Sequence, residues 1–417
     1  MQMALRTAVE GDAKEFFERR DMEEKLKIAV VGAGLGGLVA ALSLQKFGFD
    51  VTVIEQAAEL GEVGAGVQVA PNATKVLRAL GLESAAMKLA FEPQAHVIRS
   101  WKSGEVLART PYKGVVNERF GAGYFGFHRA DLHAVLAAGL SGDCVRLGEK
   151  CVGIRREGER AVVLLEGGKA LSFDLVVGAD GIHSVVRESM FGAESPRFTG
   201  NVCWRGMVEA DQVTPGAIQP DMTVWFGPGA HVVHYYVRGG KLINWVASFE
   251  ADDWRTESWR TQGNRDEMMA RFEDWHPVIR ELLGKSRQYF KWALFDRDPL
   301  TQWTQGPVTL LGDAAHPMLP YLAQGACMAM EDGYALALCL QRAGGKVSDA
   351  LKDYEQRRHE RTARVQLLAR QRAVENHLKT EAEVAERDAR YARLRDASGP
   401  AHTYGIDWIY EHDVTVP

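Results

Sequence analysis

The chain has 417 residues, 46% of them hydrophobic, enough for two or three domains with sizeable cores. Its 50 basic and 55 acidic residues are spread along the sequence for a net charge of -5, which leaves no electrostatic footprint for nucleic acid or an anionic membrane and makes small molecules the expected partners. The five cysteines (Cys144, Cys151, Cys203, Cys327, Cys339) are odd in number and free of CxxC or Cys/His ligand spacing, no run approaches the ~18 apolar residues of a membrane span, and the N-terminus lacks the order of a signal peptide; a cytoplasmic protein without a metal site is expected.

Residues 1–26 are charged and rich in helix formers, and read as a solvated helical extension, with Met22 as an alternative start. Lys27–Val31 is a continuous apolar run of strand length, followed by Gly32-Ala33-Gly34-Leu35-Gly36-Gly37 and then by apolar residues at helix spacing. Val51–Glu55 is the next strand, so the opening is a βαβ unit of a right-handed parallel sheet. A helix is expected from Arg129 to about Leu140, and strands at Val145–Leu147, Val162–Leu165 and Leu171–Val177, the last feeding Gly178-Ala179-Asp180-Gly181.

Between about 200 and 295 the composition shifts to alternating runs, Thr223–Phe226, His231–Val237 and Leu242–Val246, with Gly239-Gly240 as a hairpin turn. These predict a largely antiparallel sheet that interrupts the parallel unit. Val308–Leu311 restores a buried strand before Gly312-Asp313-Ala314-Ala315-His316-Pro317, and Ala323–Ala343 reads as a helix. Ser348 to about Asp396 is helical and charged, and the tail carries Tyr404, Trp408 and Tyr410, enough aromatic surface to dock.

Each glycine segment has its own chemistry. In Gly32-x-Gly34-x-x-Gly37 the first glycine turns, the second admits a pyrophosphate and the third lets helix and strand pack. Glu55, about 20 residues on, is placed to accept from ribose hydroxyls. Asp180 is either a turn-stabilising residue or an acceptor for cofactor donors. Asp313 sits just past a buried strand, where a carboxylate can hold ribityl hydroxyls, and the helix opening at Gln324-Gly325-Ala326-Cys327-Met328 presents a positive dipole end to the pyrimidine side of a flavin. Together the three segments specify a flavin dinucleotide.

At these motifs, in this order and spacing, the chain resembles the para-hydroxybenzoate hydroxylase-like (class A) flavoprotein monooxygenases from about Lys27 to Ala343. The resemblance implies an α/β fold: a Rossmann-like FAD-binding domain of GR2 type (27–96, 121–200 and 296–345), interrupted by a mostly antiparallel β-sheet substrate domain (97–120 and 201–295), with C-terminal helices (346–417). It carries FAD onto Gly32, Gly34, Leu35, Gly36, Gly37, Glu55, Gln56, Gly66, Val67, Arg129, Asp180, Asp313, Gly325 and Ala326, with NADH or NADPH visiting the same cleft. Arg129 matches the family arginine near the flavin diphosphate.

Glu62-Val63-Gly64-Ala65-Gly66-Val67-Gln68-Val69-Ala70-Pro71-Asn72 is similar to the salicylate, 3-hydroxybenzoate and 6-hydroxynicotinate hydroxylase group. The hydroxynicotinate enzymes have a histidine where this chain has Gln68. His231 and Tyr235 match the pair that the 3-hydroxybenzoate and hydroxynicotinate branches aim at the substrate hydroxyl, and four residues apart on a strand they share a face. Pro320 is shared with the salicylate type. Arg205 is either a partner for a substrate carboxylate or a structural arginine at the domain junction. Cys327, His316 and the tryptophans Trp225, Trp245, Trp254 and Trp259 read as packing or structural residues.

The implied activity is NAD(P)H-consuming hydroxylation of a monocyclic phenolic acid by O2 through a C4a-hydroperoxyflavin, with Tyr235 and His231 as candidate catalytic residues and Gln68, Arg205, Tyr235 and Pro320 as substrate-binding residues. A phenol of pKa near 10 attacks such an electrophile only when a base or strong hydrogen-bonding partner favours its ionised form. The alternatives are hydroxylation of a pyridine ring or a non-catalytic flavin-binding role. A monomer or homodimer is expected.

Overall fold

A computed structural model describes residues 25–61, 65–251, 261–396 and 405–416. The expected N-terminal extension up to residue 24, Glu62–Gly64, Trp254, Trp259 and Tyr404 lie outside these residues. The first layer is a six-stranded sheet of β1 (Lys27–Val31), β2 (Asp50–Ile54), β7 (Val145–Arg146), β11 (Leu175–Gly178), β17 (Thr304–Gln305) and β18 (Val308–Leu310), in the order β17-β18-β11-β1-β2-β7. All pairings are parallel except β17 with β18. The near-continuous apolar runs of β1 and β11 are what a parallel strand covered on both faces requires.

A seven-stranded sheet forms the second layer, in the order β16-β12-β15-β14-β13-β4-β5. Its strands are β4 (Ala95–Ser100), β5 (Val106–Pro111), β12 (Arg197–Glu209), β13 (Met222–Gly227), β14 (Ala230–Val237), β15 (Leu242–Glu250) and β16 (Phe290–Asp296). Only β4 with β13 is parallel. Alternation sorts its side chains cleanly. Trp204, Val232, Trp245 and Phe249 fill a core on the back, covered by the helices Arg265–Arg271 and Pro277–Gly284, whereas Cys203, Tyr235 and Val237 point to the front and join the main core.

A two-stranded ribbon of β3 (Gly66–Val69) and β6 (Phe125–His128) lies over that front face. A three-stranded sheet, β8 (Cys151–Glu157), β9 (Arg160–Leu165) and β10 (Ala170–Phe173), flanks the parallel layer. Here the structure divides the single strand expected over Leu171–Val177 into β10 and β11, in different sheets. The break is Asp174: its N–H donates to Lys27 O and its Oδ2 accepts from Lys27 N, an exchange that bends the chain between sheets.

Besides the two helices behind the sheet and the short Glu83–Met87 and Val115–Phe120, the helices are α1 (Leu35–Lys46), α2 (Pro71–Ala79), α3 (Arg129–Gly139), α4 (Val185–Phe191), α5 (Gly325–Arg342), α6 (Val347–Asn376), α7 (Glu381–Asp396) and α8 (Asp407–Glu411). α1 crosses α5 so closely that a Cβ on Gly333 would lie 2.6 Å from Ala40 N. The tail docks as its aromatics predict: Ile409 and Tyr410 are buried, and Lys75 donates to the carbonyls of Tyr410, Glu411 and His412.

Candidate active site

All three glycine segments sit at the carboxyl ends of neighbouring parallel strands, β1, β11 and β18, where open α/β sheets bind ligands. They touch one another. Gly32 adopts φ +103°, closed to other L-residues, and a Cβ there would lie 2.5 Å from Ala179 O; one on Gly37 would lie 2.0 Å from Gly32 O. Gly36 faces Ala329 of α5, whereas a Cβ on Gly34 would meet nothing within 4 Å. Gly34 therefore borders open space at the start of α1, whose first turn has neither a capping side chain nor an acid. Such a helix end offers N–H donors and a positive dipole to an anion.

Glu55 buttresses this turn: its Oε2 accepts from Ala33 N and its Oε1 from Ala57 N, both at 2.8 Å. Gln56 beyond it is exposed, while Leu35 is buried. Asp313 is solvent-exposed although protein surrounds it on nearly every side, the situation of a carboxylate on the floor of a cleft. That enclosure raises its pKa, against the pull of His316 and Arg129. A Cβ on Gly325 would lie 3.9 Å from Asp313 Oδ1, so Gly325 and Ala326, in the uncapped first turn of α5, border the same cleft. Pro320 is exposed in the turn leading to it, and Ala323, at φ +52°, aims the chain into α5 from a conformation that costs a non-glycine residue. An open second glycine, two uncapped helix starts and a carboxylate on the cleft floor fit a flavin dinucleotide.

Asp180 is committed locally. Its Oδ1 accepts from Ser184 Oγ at 2.5 Å and its Oδ2 from Val186 N at 3.1 Å, which tie down the start of α4. This supports the turn-stabilising alternative.

On the sheet side, Gly66, Gln68, Tyr235, Arg205 and Asn244 come together. Gly66 N donates to Asn244 Oδ1 at 2.7 Å, and a Cβ on Gly66 would lie 2.6 Å from the Tyr235 hydroxyl. Asn244 stands directly opposite Tyr235 in the β14–β15 register. Gln68 lies between two tyrosines: its Oε1 accepts from Tyr124, and its side chain is near enough to Tyr235 to lower that phenol's pKa. Burial raises the Tyr235 pKa, and the opposing effects of Gln68 and Arg205 do not cancel it. The Tyr235 phenol therefore stays protonated, and its proton is available to a ligand. Arg205 is buried, with its guanidinium 5.2 Å from the ring centroids of both Phe290 and Trp292.

His231 shares the front face with Tyr235 but has different neighbours. The two are separated by four residues, about 13 Å along the strand. His231 Nδ1 lies 2.9 Å from Nε2 of His377, which follows α6, and Tyr321 packs on both rings.

Several of these groups escape sequence reasoning. Glu331 and Asp332 are wholly buried in α5, ion-paired with Arg358 and Arg361 of α6, and Asp332 Oδ2 also holds His316 Nε2 at 2.6 Å and Gly312 N at 2.9 Å. Two adjacent acids inside an otherwise apolar helix are the legible signal; their partners are not. His377 and Asn244 carry no local signal.

Residues 25–369 match the profile described as FAD binding domain. The chain belongs to that family. A 3-amino-4-hydroxybenzoate 2-monooxygenase from Streptomyces cremeus is 38% identical to this FAD-binding protein over 396 residues, 95% of this chain and 98% of that one. A 6-hydroxynicotinate 3-monooxygenase from Pseudomonas fluorescens is 36% identical over 351 residues, 84% and 91% of the two chains. A solved salicylate hydroxylase substrate complex superposes with a TM-score of 0.79 at 26% identity, covering 94% of this chain and 96% of that chain. This family member is an FAD-dependent aromatic monooxygenase of the hydroxybenzoate, aminohydroxybenzoate and hydroxynicotinate type. No helix among the described residues is long and apolar enough to cross a membrane.

Proposed function

We propose that the enzyme hydroxylates a monocyclic phenolic acid, consuming NAD(P)H and O2 and releasing NAD(P)+ and water. Bound FAD supplies the two-electron carrier and the oxygen chemistry. Gly32, Gly34 and Gly37, with the open start of α1, hold its diphosphate; Leu35 and Gly36 pack beneath it, and Glu55 and Gln56 flank the ribose. Arg129 adds a cation on the diphosphate side, and Asp313 takes the ribityl hydroxyls. Gly66 and Val67 border the ring opposite Gly325 and Ala326. Asp180 serves by fixing the turn against which Gly32 rests.

The substrate lies between Pro320 and the front of the sheet. Tyr235 carries this reading: a buried tyrosine held protonated beside Gln68 has one proton to give. Donated to the ring hydroxyl oxygen, it favours the phenolate form that makes the ring nucleophilic. Arg205, presented from β12 on the same face, is the candidate for the carboxylate. His231 is the second candidate for the ring hydroxyl.

A pyridine substrate is the second reading, favoured by the 36% identical hydroxynicotinate enzyme; Gln68, where that group has histidine, favours the benzoate ring. The FAD-loaded enzyme should be given NADH or NADPH with 3-amino-4-hydroxybenzoate, salicylate, 3-hydroxybenzoate and 6-hydroxynicotinate, with product and hydrogen peroxide quantified. A hydroxylated benzoate in near-stoichiometric yield with NAD(P)H is expected. Product from 6-hydroxynicotinate alone would favour the pyridine reading, and peroxide alone from all four would sink both.

A further inference from the structure

The histidine pair on the sheet front is held from three directions. His377 is buried where α6 ends, and its neighbours lock it in place: Gly229 N donates to Leu378 O at 3.1 Å, and Lys379 ion-pairs with Glu250. Those contacts seat residues 377–379 against the β14–β15 end that carries His231. Tyr321, next to Pro320 at the cleft, lies 5.4 Å from the His231 ring and 5.6 Å from the His377 ring, centroid to centroid, and its hydroxyl is 3.1 Å from Ser248 Oγ. Ser248 stands opposite His231 in the sheet register. The two imidazoles meet Nδ1 to Nε2 at 2.9 Å, with centroids 5.0 Å apart.

A neutral imidazole has one N–H and one bare nitrogen. Burial keeps both rings neutral, with Arg387 and Lys379 as the facing cations. The contact between them can therefore hold a single proton. Whichever ring supplies it, the state of His231 Nδ1 sets the complementary state of its Nε2, and the tautomers of the two rings change together.

We propose that His377 is a positioning residue, which holds the His231 ring by its Nδ1 so that Nε2 is presented to the phenolic substrate in the state complementary to the shared proton. The proposal rests on the functional reading above. It gives the C-terminal helical region, beyond the FAD-binding elements, a direct hand in substrate activation. The geometry resembles the general arrangement in which a third group orients a histidine that acts on substrate.

The test compares His377→Phe, which keeps a ring without nitrogens, with His377→Gln, which restores a donor and an acceptor. Each is measured for turnover of the best phenolic substrate, for coupling of NAD(P)H use to product, and for the phenolate absorbance of bound 4-hydroxy-3-nitrobenzoate. Loss of one hydrogen bond predicts that His377→Phe lowers kcat about tenfold with KM changed less than about threefold. Coupling and bound phenolate should fall with it, and His377→Gln should recover most of the loss. Adding His377→Phe to His231→Phe should cost nothing further. Wild-type kcat and coupling in His377→Phe would overturn the proposal, as would multiplicative losses in the double variant. If His377→Phe does not fold, His377→Gln combined with His231→Gln decides by the same additivity criterion. Wild-type enzyme that hydroxylates no phenol overturns the functional reading and takes this proposal with it; active wild type with an indifferent His377→Phe overturns the proposal alone.

Discussion

Tyr235 shows how much chemistry one position acquires from its surroundings. In a strand of alternating aromatics it reads as a core residue, and it is indeed buried, at 5% exposure. What separates it from Tyr236 is the nearness of Gln68 and Arg205. Both groups pull its pKa down, yet burial prevails, so its phenol keeps a proton that it can give to a hydrogen bond. Tyr235→Phe should therefore lower hydroxylation and raise peroxide release while substrate-stimulated flavin reduction changes little. A loss of one to two orders of magnitude in product formation is expected, about 1.5–3 kcal/mol for a hydrogen bond to a developing charge. An unchanged ratio of product to peroxide would remove Tyr235 from the chemistry. Gly66 belongs to the same argument: its lack of a Cβ lets the Tyr235 hydroxyl and Asn244 approach the backbone of β3.

At the scale of elements, α5 and α6 carry the buried charges behind the third glycine segment. Up to its last turn the α5 sequence is apolar but for Glu331 and Asp332, which a helix buried on most sides cannot hold without partners. Arg358 answers both acids, and Arg361 donates to Glu331 through Nε and Nη2, each at 2.8 Å. The Glu331 carboxyl stands at about 2: burial alone would raise it, and the two guanidinium groups outweigh burial. Through Asp332 the network reaches His316 and Gly312, so it braces the third glycine segment from below. Arg358→Ala leaves two buried acids undercompensated and should cost about 3–5 kcal/mol of stability, seen as a lower denaturation midpoint, with flavin retention lost in parallel. A midpoint within experimental error of wild type would show that the network is dispensable. The acid pair is legible in the sequence as an anomaly. That its partners come from the next helix depends on how α5 and α6 cross.

For the whole molecule, the front of the seven-stranded sheet is closed by segments distant in sequence: the β3–β6 ribbon near its start, the turn after Pro320, and helices α6 and α7 near its end. Burying neutral histidines in this assembly ties stability to pH. His234 stands at about 3 and His377 at about 4, and His231 is pushed well below its ordinary value, in each case chiefly by burial. These folded pKa values lie below the unfolded value near 6.5, so below that pH the unfolded chain takes up protons that the native state refuses. Stability is complete above about pH 6.5 and falls as pH drops toward 4, by up to about 2 kcal/mol per histidine at pH 5. Glu331 adds a further loss between about 4.5 and 2. Denaturant titrations at pH 7.5, 6 and 5 should show a falling midpoint, and a flat profile would contradict the buried neutral assignment.

Much of this architecture is written locally. The three glycine segments, the apolar runs before them and the alternating strands between depend on backbone conformations and periodicities that neighbouring residues impose, so the parallel sheet, the interrupting antiparallel sheet and the flavin cleft follow from the chain read in order. One local reading failed for a long-range reason: Leu171–Val177 looks like one strand because nothing nearby shows that Asp174 pairs with the backbone of Lys27, 147 residues away in sequence. The site's electrostatics have the same origin. Which tyrosine keeps a donatable proton, which acids meet arginines, and that His377 closes on His231 are set by contacts across 26 to 178 residues. Hydrogen bonds and charge pairs in a buried cleft act through space, and only the folded chain brings those partners within reach.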